Sequence, residues 1–187
     1  MGIQVKCSGP GLIFTALLCL ILPVDWMAAA LTAGAFHEFC HIVAVRLTGG
    51  RIFDLKISPA GAVMEVDSTE PWQELICALA GPAGSFSLLL LAEHFSKIAL
   101  CGMIQGLYNL LPIYPLDGGR ILYSGMQLFC PFEIAKKICL YVQWVTVVLI
   151  VWCGLWASLK LECGLMPIFV SIFLLVRTME GKIPCKQ

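Results

Sequence analysis

The chain has 187 residues, of which 59% are hydrophobic and 13% are charged, and its twelve basic side chains balance twelve acidic ones. Soluble domains average about 45–50% apolar and about 25% charged residues, so this composition excludes an ordinary soluble domain. It indicates a protein whose surroundings are the lipid bilayer, and we expect no nucleic-acid partner.

Six stretches are apolar enough to cross a membrane, because a spanning helix needs about 20 mainly apolar residues. The predicted spans are residues 10–24, 26–48, 72–93, 97–113, 136–159 and 163–179. If the N-terminus is cytoplasmic, all Lys and Arg residues except Lys97 and Lys160 fall on the cytoplasmic side, as the positive-inside bias requires. We therefore predict a multi-pass cell-membrane protein with both termini in the cytoplasm. A cleaved signal peptide over residues 1–22 is the alternative for the first span.

The segment between the second and third spans has a different period. Apolar and polar residues alternate over much of residues 52–67, on both sides of Pro59-Ala60-Gly61. A period of two around a Pro/Gly turn predicts a short β-hairpin on the cytoplasmic side. Its edge could bind an extended peptide as a further strand, or the hairpin could simply cover the helix ends.

The fourth span runs into a segment that cannot remain helical. Pro112, Pro115 and the pair Gly118-Gly119 lie close together, so the helix is predicted to break near membrane depth, where irregular backbone must be buried or line a wet cavity. A short amphipathic segment follows at about 119–129. The predicted fold is an all-α polytopic membrane protein with six helices, the short hairpin and a broken fourth helix, forming one domain over residues 1–187.

The sequence His37-Glu38-Phe39-Cys40-His41 lies inside the second predicted span. On a helix, positions i and i+4 share a face, so both imidazoles can bind one metal ion, and Glu38 can serve as the general base that takes a proton from water. Ionisable groups inside a membrane segment are functional candidates because they are costly to insert. The alternative is a hydrogen-bonded histidine pair at a helix contact.

A catalytic zinc takes three protein ligands and keeps one open position. Asp117 is the only acidic residue in the broken stretch 98–132, and the two glycines after it allow close approach of backbone to a metal. His94 lies beside Glu93 and Lys97 at the predicted outer end of its helix and is a poor candidate. We therefore predict one Zn²⁺ per chain, bound by His37, His41 and Asp117. An ordinary Asp-Gly turn is the alternative for Asp117.

The motif His37-Glu38-x-x-His41, followed by Asn109-x-x-Pro112-x-x-Pro115-Leu-Asp117-Gly118-Gly119, resembles the site-2 protease family of intramembrane zinc metalloproteases, peptidase family M50. The sporulation branch is the nearest in pattern. The resemblance implies a six-helix fold, the zinc ligands and base named above, and a substrate-binding role for Asn109. Unlike family members with such modules, the single predicted domain is expected to have no inserted PDZ module and no CBS domain. Family members often have asparagine near the position of Ser85, so no role is carried over to this serine.

The favoured function is therefore hydrolysis of peptide bonds in or near transmembrane segments of membrane-anchored regulators or pro-proteins, with a membrane-protein inhibitor as a further expected partner. A metal transporter could use the same three ligands, but a transit site has no need of Glu38, and transporters often contain internal repeats. A pseudoprotease that binds partners without cutting them is the third reading. The complete set of metal ligands and base argues against it.

Overall fold

The computed structural model describes residues 23–58, 61–67 and 70–160, together with Leu174 and Thr178. The chain divides into two compact units, Met1–Asn109 and Leu110–Gln187. The first contains the helix α1 (Val24–Leu47), the strands β1 (Arg51–Ser58) and β2 (Gly61–Asp67), the helix α2 (Pro71–Ser87), a 3-10 turn (Leu88–Leu91) and the helix α3 (Ser96–Asn109). The second contains α4 (Asp117–Gln127) and α5 (Phe132–Lys160).

Three of the described helical segments are long and apolar enough to cross a membrane. They are Val24–Leu47, Pro71–Leu91 and Phe132–Lys160, which match the second, third and fifth predicted spans to within a few residues. The fourth predicted span is shorter than expected, because α3 ends at Asn109. Most of the first and sixth predicted spans lies outside the described residues, as do Pro59 and Ala60 of the predicted turn.

Helix α1 ends at Leu47, next to the paired glycines Gly49 and Gly50 and close to the predicted end of the second span at residue 48. Gly49 has a positive φ of 78°, a conformation that suits glycine because it has no Cβ. The N–H of Gly49 donates to the carbonyl of Arg46, and the N–H of Gly50 donates to that of Val45. This arrangement is a Schellman cap, which satisfies carbonyls that the helix end would otherwise leave open.

The strands β1 and β2 form a two-stranded antiparallel sheet directly after α1. Ser58 pairs with Gly61 and Arg51 pairs with Asp67, while the register shifts between Ile52 and Asp54. An extra residue in one strand is a β-bulge, which bends that strand and increases its twist. Because a sheet of two strands has two open edges, each strand also presents backbone groups that the ladder does not use.

The helices of the first unit pack through small side chains. The buried face of α3 consists of Ala99, Gly102 and Gly106. The buried face of α2 is Cys77, Ala78, Gly81, Pro82, Gly84 and Ser85. Small residues allow helices in a membrane to approach closely, and α1, α2 and α3 all contact one another here.

The second unit is built on the long helix α5, against which α4 packs. Tyr123 of α4 lies against Ala135 and Cys139 of α5, and the Tyr123 and Phe132 rings meet edge to face with centroids 6.1 Å apart. The amphipathic segment predicted at 119–129 is therefore the helix α4, which begins two residues earlier, at Asp117.

Candidate metal centre

The buried face of α1 carries both histidines of the motif. It comprises Ala29, Ala33, His37, His41, Ala44 and Val45, which recur every three to four residues along one side of the helix. His37 is 2% exposed and His41 is 4% exposed. Their rings meet edge to face, and the two Nε2 atoms lie 3.1 Å apart. The spacing of the motif has therefore brought the two imidazoles together, as the sequence predicts.

Each imidazole is held at its other nitrogen by helix α2. Nδ1 of His41 lies 2.7 Å from the carbonyl oxygen of Cys77, and Nδ1 of His37 lies 2.8 Å from the hydroxyl of Ser85. A carbonyl oxygen only accepts hydrogen bonds, so Nδ1 of His41 carries the proton of the neutral ring and Nε2 keeps its lone pair. Outer partners of this kind orient the histidine ligands of metal ions.

The geometry of the pair fits a metal ion. Two nitrogens bound to tetrahedral zinc at about 2.0–2.1 Å from the metal are about 3.3–3.4 Å apart. The observed separation of the Nε2 atoms, 3.1 Å, is close to that value. Because both Nδ1 atoms contact groups of α2, the Nε2 atoms, which face each other, are the ones directed towards a shared cation.

Helix α2 makes room for the rings by having glycine where it passes them. A Cβ built on Gly81 would lie 2.7 Å from Nε2 of His37 and 2.5 Å from Cε1 of His41. Real Cβ atoms essentially never come this close to a neighbour, so a side chain here would displace both imidazoles. Pro82, the next residue, gives no N–H to the helix ladder, and its ring crowds the carbonyl one turn earlier.

Two further predicted site residues lie beside the histidines in the first unit. Glu38 is half-buried, and its Oε2 atom is enclosed by protein. Asn109, the last residue of α3, has its Nδ2 atom 3.4 Å from Nε2 of His37. The first unit thus gathers two imidazole nitrogens, a carboxylate and an amide.

The remaining predicted ligand, Asp117, is the first residue of α4 in the second unit. It is 7% exposed, and its Oδ1 atom lies 3.8 Å from Nη1 of Arg120, one turn further along the helix. A carboxylate in the first turn of a helix is favoured by the partial positive charge of the helix N-terminus. Asp117 is therefore a buried carboxylate whose charge is supported from within its own unit.

The irregular segment before α4 is held by a polar side chain of α5. Gln143 is buried, and its Oε1 atom accepts a hydrogen bond of 3.0 Å from the backbone N–H of Tyr114. Gly118 and Gly119 face the backbone of this same segment, and a Cβ on Gly119 would lie 2.6 Å from the carbonyl carbon of Ile113. From the sequence alone, the two glycines are predicted to let the backbone approach a metal ion. In the structure they let the start of α4 pack on the preceding backbone.

The comparisons with known proteins agree with this architecture. The family model described as peptidase family M50 matches residues 89–150. A zinc metalloprotease of Methanocaldococcus jannaschii is 30% identical over 124 residues, which are 59% of this chain and 34% of that protein. Stage IV sporulation protein FB of Bacillus subtilis is 29% identical over 137 residues, 66% of this chain and 44% of that protein. The chain thus spans less than half of either relative.

Among solved structures, a site-2 protease from M. jannaschii superposes with a TM-score of 0.73 at 22% identity, covering all of this chain and 94% of that one. This likeness defines the class by its fold: a membrane protein with the architecture of a site-2 protease. Together with the sequence matches, it supports a relationship to peptidase family M50, with a resemblance to the sporulation branch.

Three residues that contact the histidines are absent from the sequence-based assignment. Ser85 and the backbone carbonyl of Cys77 bind the rings, and Gly81 gives them space. Small residues at 80–85 permit close helix contact, but the sequence gives no register between that helix and α1. Without this register, the sequence does not show whether Ser85 contacts a histidine or a different helix.

Proposed function

We propose that this protein is an intramembrane zinc metalloprotease, a metalloendopeptidase of the site-2 protease type. The observation that carries the proposal is the pair of Nε2 atoms 3.1 Å apart on the buried face of a span-length helix, with Glu38 adjacent in the sequence. A buried imidazole pair, fixed from behind and followed by a carboxylate, is suited to holding a metal and moving a proton beside it.

One zinc ion per chain would be bound by His37, His41 and Asp117. Catalytic zinc sites use three protein ligands from among His, Asp, Glu and Cys, and the buried carboxylate of Asp117 supplies the charge that two neutral imidazoles lack. When bound, zinc polarises the scissile carbonyl and lowers the pKa of its water towards about 7.

The protein's own groups would then do the rest of the chemistry. Glu38 would accept a proton from the attacking water and pass it to the leaving amine. The half-buried amide of Asn109, at the edge of the histidine pair, would donate a hydrogen bond to the substrate backbone. The open edge of β2 would hold an unwound segment of substrate as an added strand.

The substrates would be membrane-anchored regulators or pro-proteins cut near the cytoplasmic face, and a membrane-protein inhibitor would control the enzyme. A multi-pass chain with six spans and both termini in the cytoplasm satisfies the charge bias of the sequence. In this arrangement the whole chain acts as one protease domain. Because a transmembrane helix hides its peptide bonds in i→i−4 hydrogen bonds, the substrate must unwind locally before it is cut.

The proposal is tested by co-expressing the chain with candidate membrane-tethered regulators and scoring release of a soluble fragment. Glu38→Gln should abolish release while purified protein keeps its zinc, and Asp117→Ala should lose both. Glu93→Gln and Glu93→Ala are matched controls, since this carboxylate lies in an exposed turn. Retained cleavage in Glu38→Gln, or undiminished zinc in Asp117→Ala, refutes the assignment. Metal flux that survives Glu38→Gln would favour a transporter.

A further inference from the structure

Ser85 contacts Nδ1 of His37 through its side chain, from the neighbouring helix α2. Its hydroxyl lies 2.8 Å from Nδ1 of His37, and the residue is 0% exposed. The corresponding partner of His41 is a backbone carbonyl, which every residue possesses and no substitution removes. Of the two outer contacts, the one made by Ser85 therefore depends on the identity of a side chain.

The position of Ser85 is fixed by helix α3. A Cβ on Gly102 would lie 2.9 Å from the carbonyl oxygen of Ser85, and a Cβ on Gly106 would lie 3.2 Å from the Cβ of Ser85. The backbone of α3 thus passes directly against this residue. A hydroxyl held in this way has little freedom to leave the imidazole, so the ring orientation of His37 is set by the junction of three helices.

The chemistry of the imidazole makes this contact consequential. Nε2 of a neutral histidine can bind a metal only when the ring proton is on Nδ1. A hydroxyl that accepts a hydrogen bond from Nδ1 favours that tautomer and keeps Nε2 directed at the nitrogen of His41, 3.1 Å away. Loss of such outer partners typically costs about 10- to 100-fold in metal affinity.

We infer that Ser85 is a positioning residue of the metal centre, which fixes His37 in the tautomer and orientation that bind the ion. The inference rests on the proposed metal centre and assigns a role to a residue that the motif does not include. Loss of the Ser85 hydroxyl is therefore expected to weaken metal binding directly, and any loss of proteolysis would follow from that.

The test measures metal affinity on the full-length purified protein, by titration with Zn²⁺ and by the absorption spectrum of the Co²⁺-loaded form. Ser85→Ala should weaken binding by about 10- to 100-fold and alter the Co²⁺ spectrum. The matched control is Ser87→Ala, since the hydroxyl of Ser87 donates to the carbonyl of Gly84 in its own helix, at 2.7 Å. This control should bind metal like the unchanged protein.

A second pair of variants keeps the test valid if Ser85→Ala does not fold. Ser85→Thr retains the hydroxyl and Ser85→Val has nearly the same shape without it, so the pair isolates the hydrogen bond. The threonine variant should bind metal about 10- to 100-fold more tightly than the valine variant. The inference is overturned if Ser85→Ala binds metal as tightly as Ser87→Ala, or if Ser85→Val binds it as tightly as Ser85→Thr. If the unchanged protein binds no metal, the proposed function fails instead.

The tautomer gives an independent measurement. The chain has three histidines, so ¹⁵N-histidine labelling combined with His94→Gln leaves only the two rings of the centre. In the metal-free protein, where no ion fixes the tautomer, Nδ1 of His37 should have the chemical shift of a protonated nitrogen. In Ser85→Ala the His37 resonances should move towards a mixture of tautomers while those of His41 stay in place. An unchanged His37 spectrum contradicts the assignment.

Discussion

Gly81 of α2 lies against His41 of α1 so closely that no side chain fits between them. A Cβ on Gly81 would come within 2.5 Å of Cε1 of His41, and it would also overlap His37. The two histidines are therefore placed by a glycine that has no chemical role of its own. The width of the metal centre depends on how near the two helices approach, which makes this contact the most direct target for substitution.

Gly81→Ala should move both imidazoles and weaken metal binding by at least the roughly 10- to 100-fold typical of changes around a metal site. Zinc titration of purified protein measures the effect. The matched control is Gly125→Ala, because a Cβ on Gly125 meets nothing within 4 Å. In a helix this control should stabilise the protein by about 0.5–1 kcal/mol and leave its metal content unchanged. If Gly81→Ala keeps full metal affinity, the close contact between α1 and α2 does not determine the positions of the histidines.

Gln143→Leu should destabilise the second unit by about 1–3 kcal/mol, because it leaves the N–H of Tyr114 without the acceptor that Gln143 provides. Gln143→Glu keeps an oxygen in the same place and should therefore lose less stability than the leucine variant. The control on the same helix is Thr146→Val, which removes only a hydrogen bond to the carbonyl of Val142. Denaturant titration in detergent measures all three. If the leucine variant is as stable as the valine control, Gln143 does not support the irregular segment.

Proline substitutions in β2 test strand addition. Successive N–H groups of a strand point to opposite edges, so those of Val63 and Val66, three residues apart, point to opposite sides. Only one of the two prolines therefore removes a donor from the open edge, while the other removes one from the ladder with β1. The open-edge variant should lose cleavage while its expression and zinc content remain normal. Normal cleavage by both variants, in folded and zinc-loaded protein, would show that the edge does not bind substrate.

The proposed topology predicts which positions react with an impermeant thiol reagent on intact cells. In a cysteine-depleted chain, Glu93→Cys should be labelled from outside, because Glu93 lies in an exposed turn at the predicted outer end of the third span. Lys186→Cys should be labelled only after permeabilisation. The reverse pattern would invert the whole arrangement, including the side from which the substrate is reached.

The sequence was sufficient for the elements whose cause is local. The i, i+4 spacing of His37 and His41 needs only a helix to bring the rings together, and the paired glycines at 49–50 stop that helix through a backbone conformation. The apolar runs of α1, α2 and α5 follow equally from composition. In each case the information lies within one continuous segment, the longest being the 29 residues of α5.

The contacts that the sequence did not reveal all depend on how two distant segments meet. The bond between His37 and Ser85 joins residues 48 apart, and that between Tyr114 and Gln143 joins residues 29 apart. No periodicity within one helix states which face of another helix it meets. The end of α3 at Asn109 was also missed, since apolar residues continue beyond it and only the later prolines indicate a break.

The small buried residues of the first unit also determine which parts of the chain can vary over evolutionary time. Leu31, Phe39 and Leu47 on the exposed side of α1 can be exchanged among apolar residues, since lipid accepts many shapes. On the opposite side, Gly81 and Gly84 cannot gain even a methyl group without displacing His41 or Cys40. Divergent descendants of this chain should therefore keep a narrow line of invariant small residues on α2, while the surrounding lipid-facing sequence drifts.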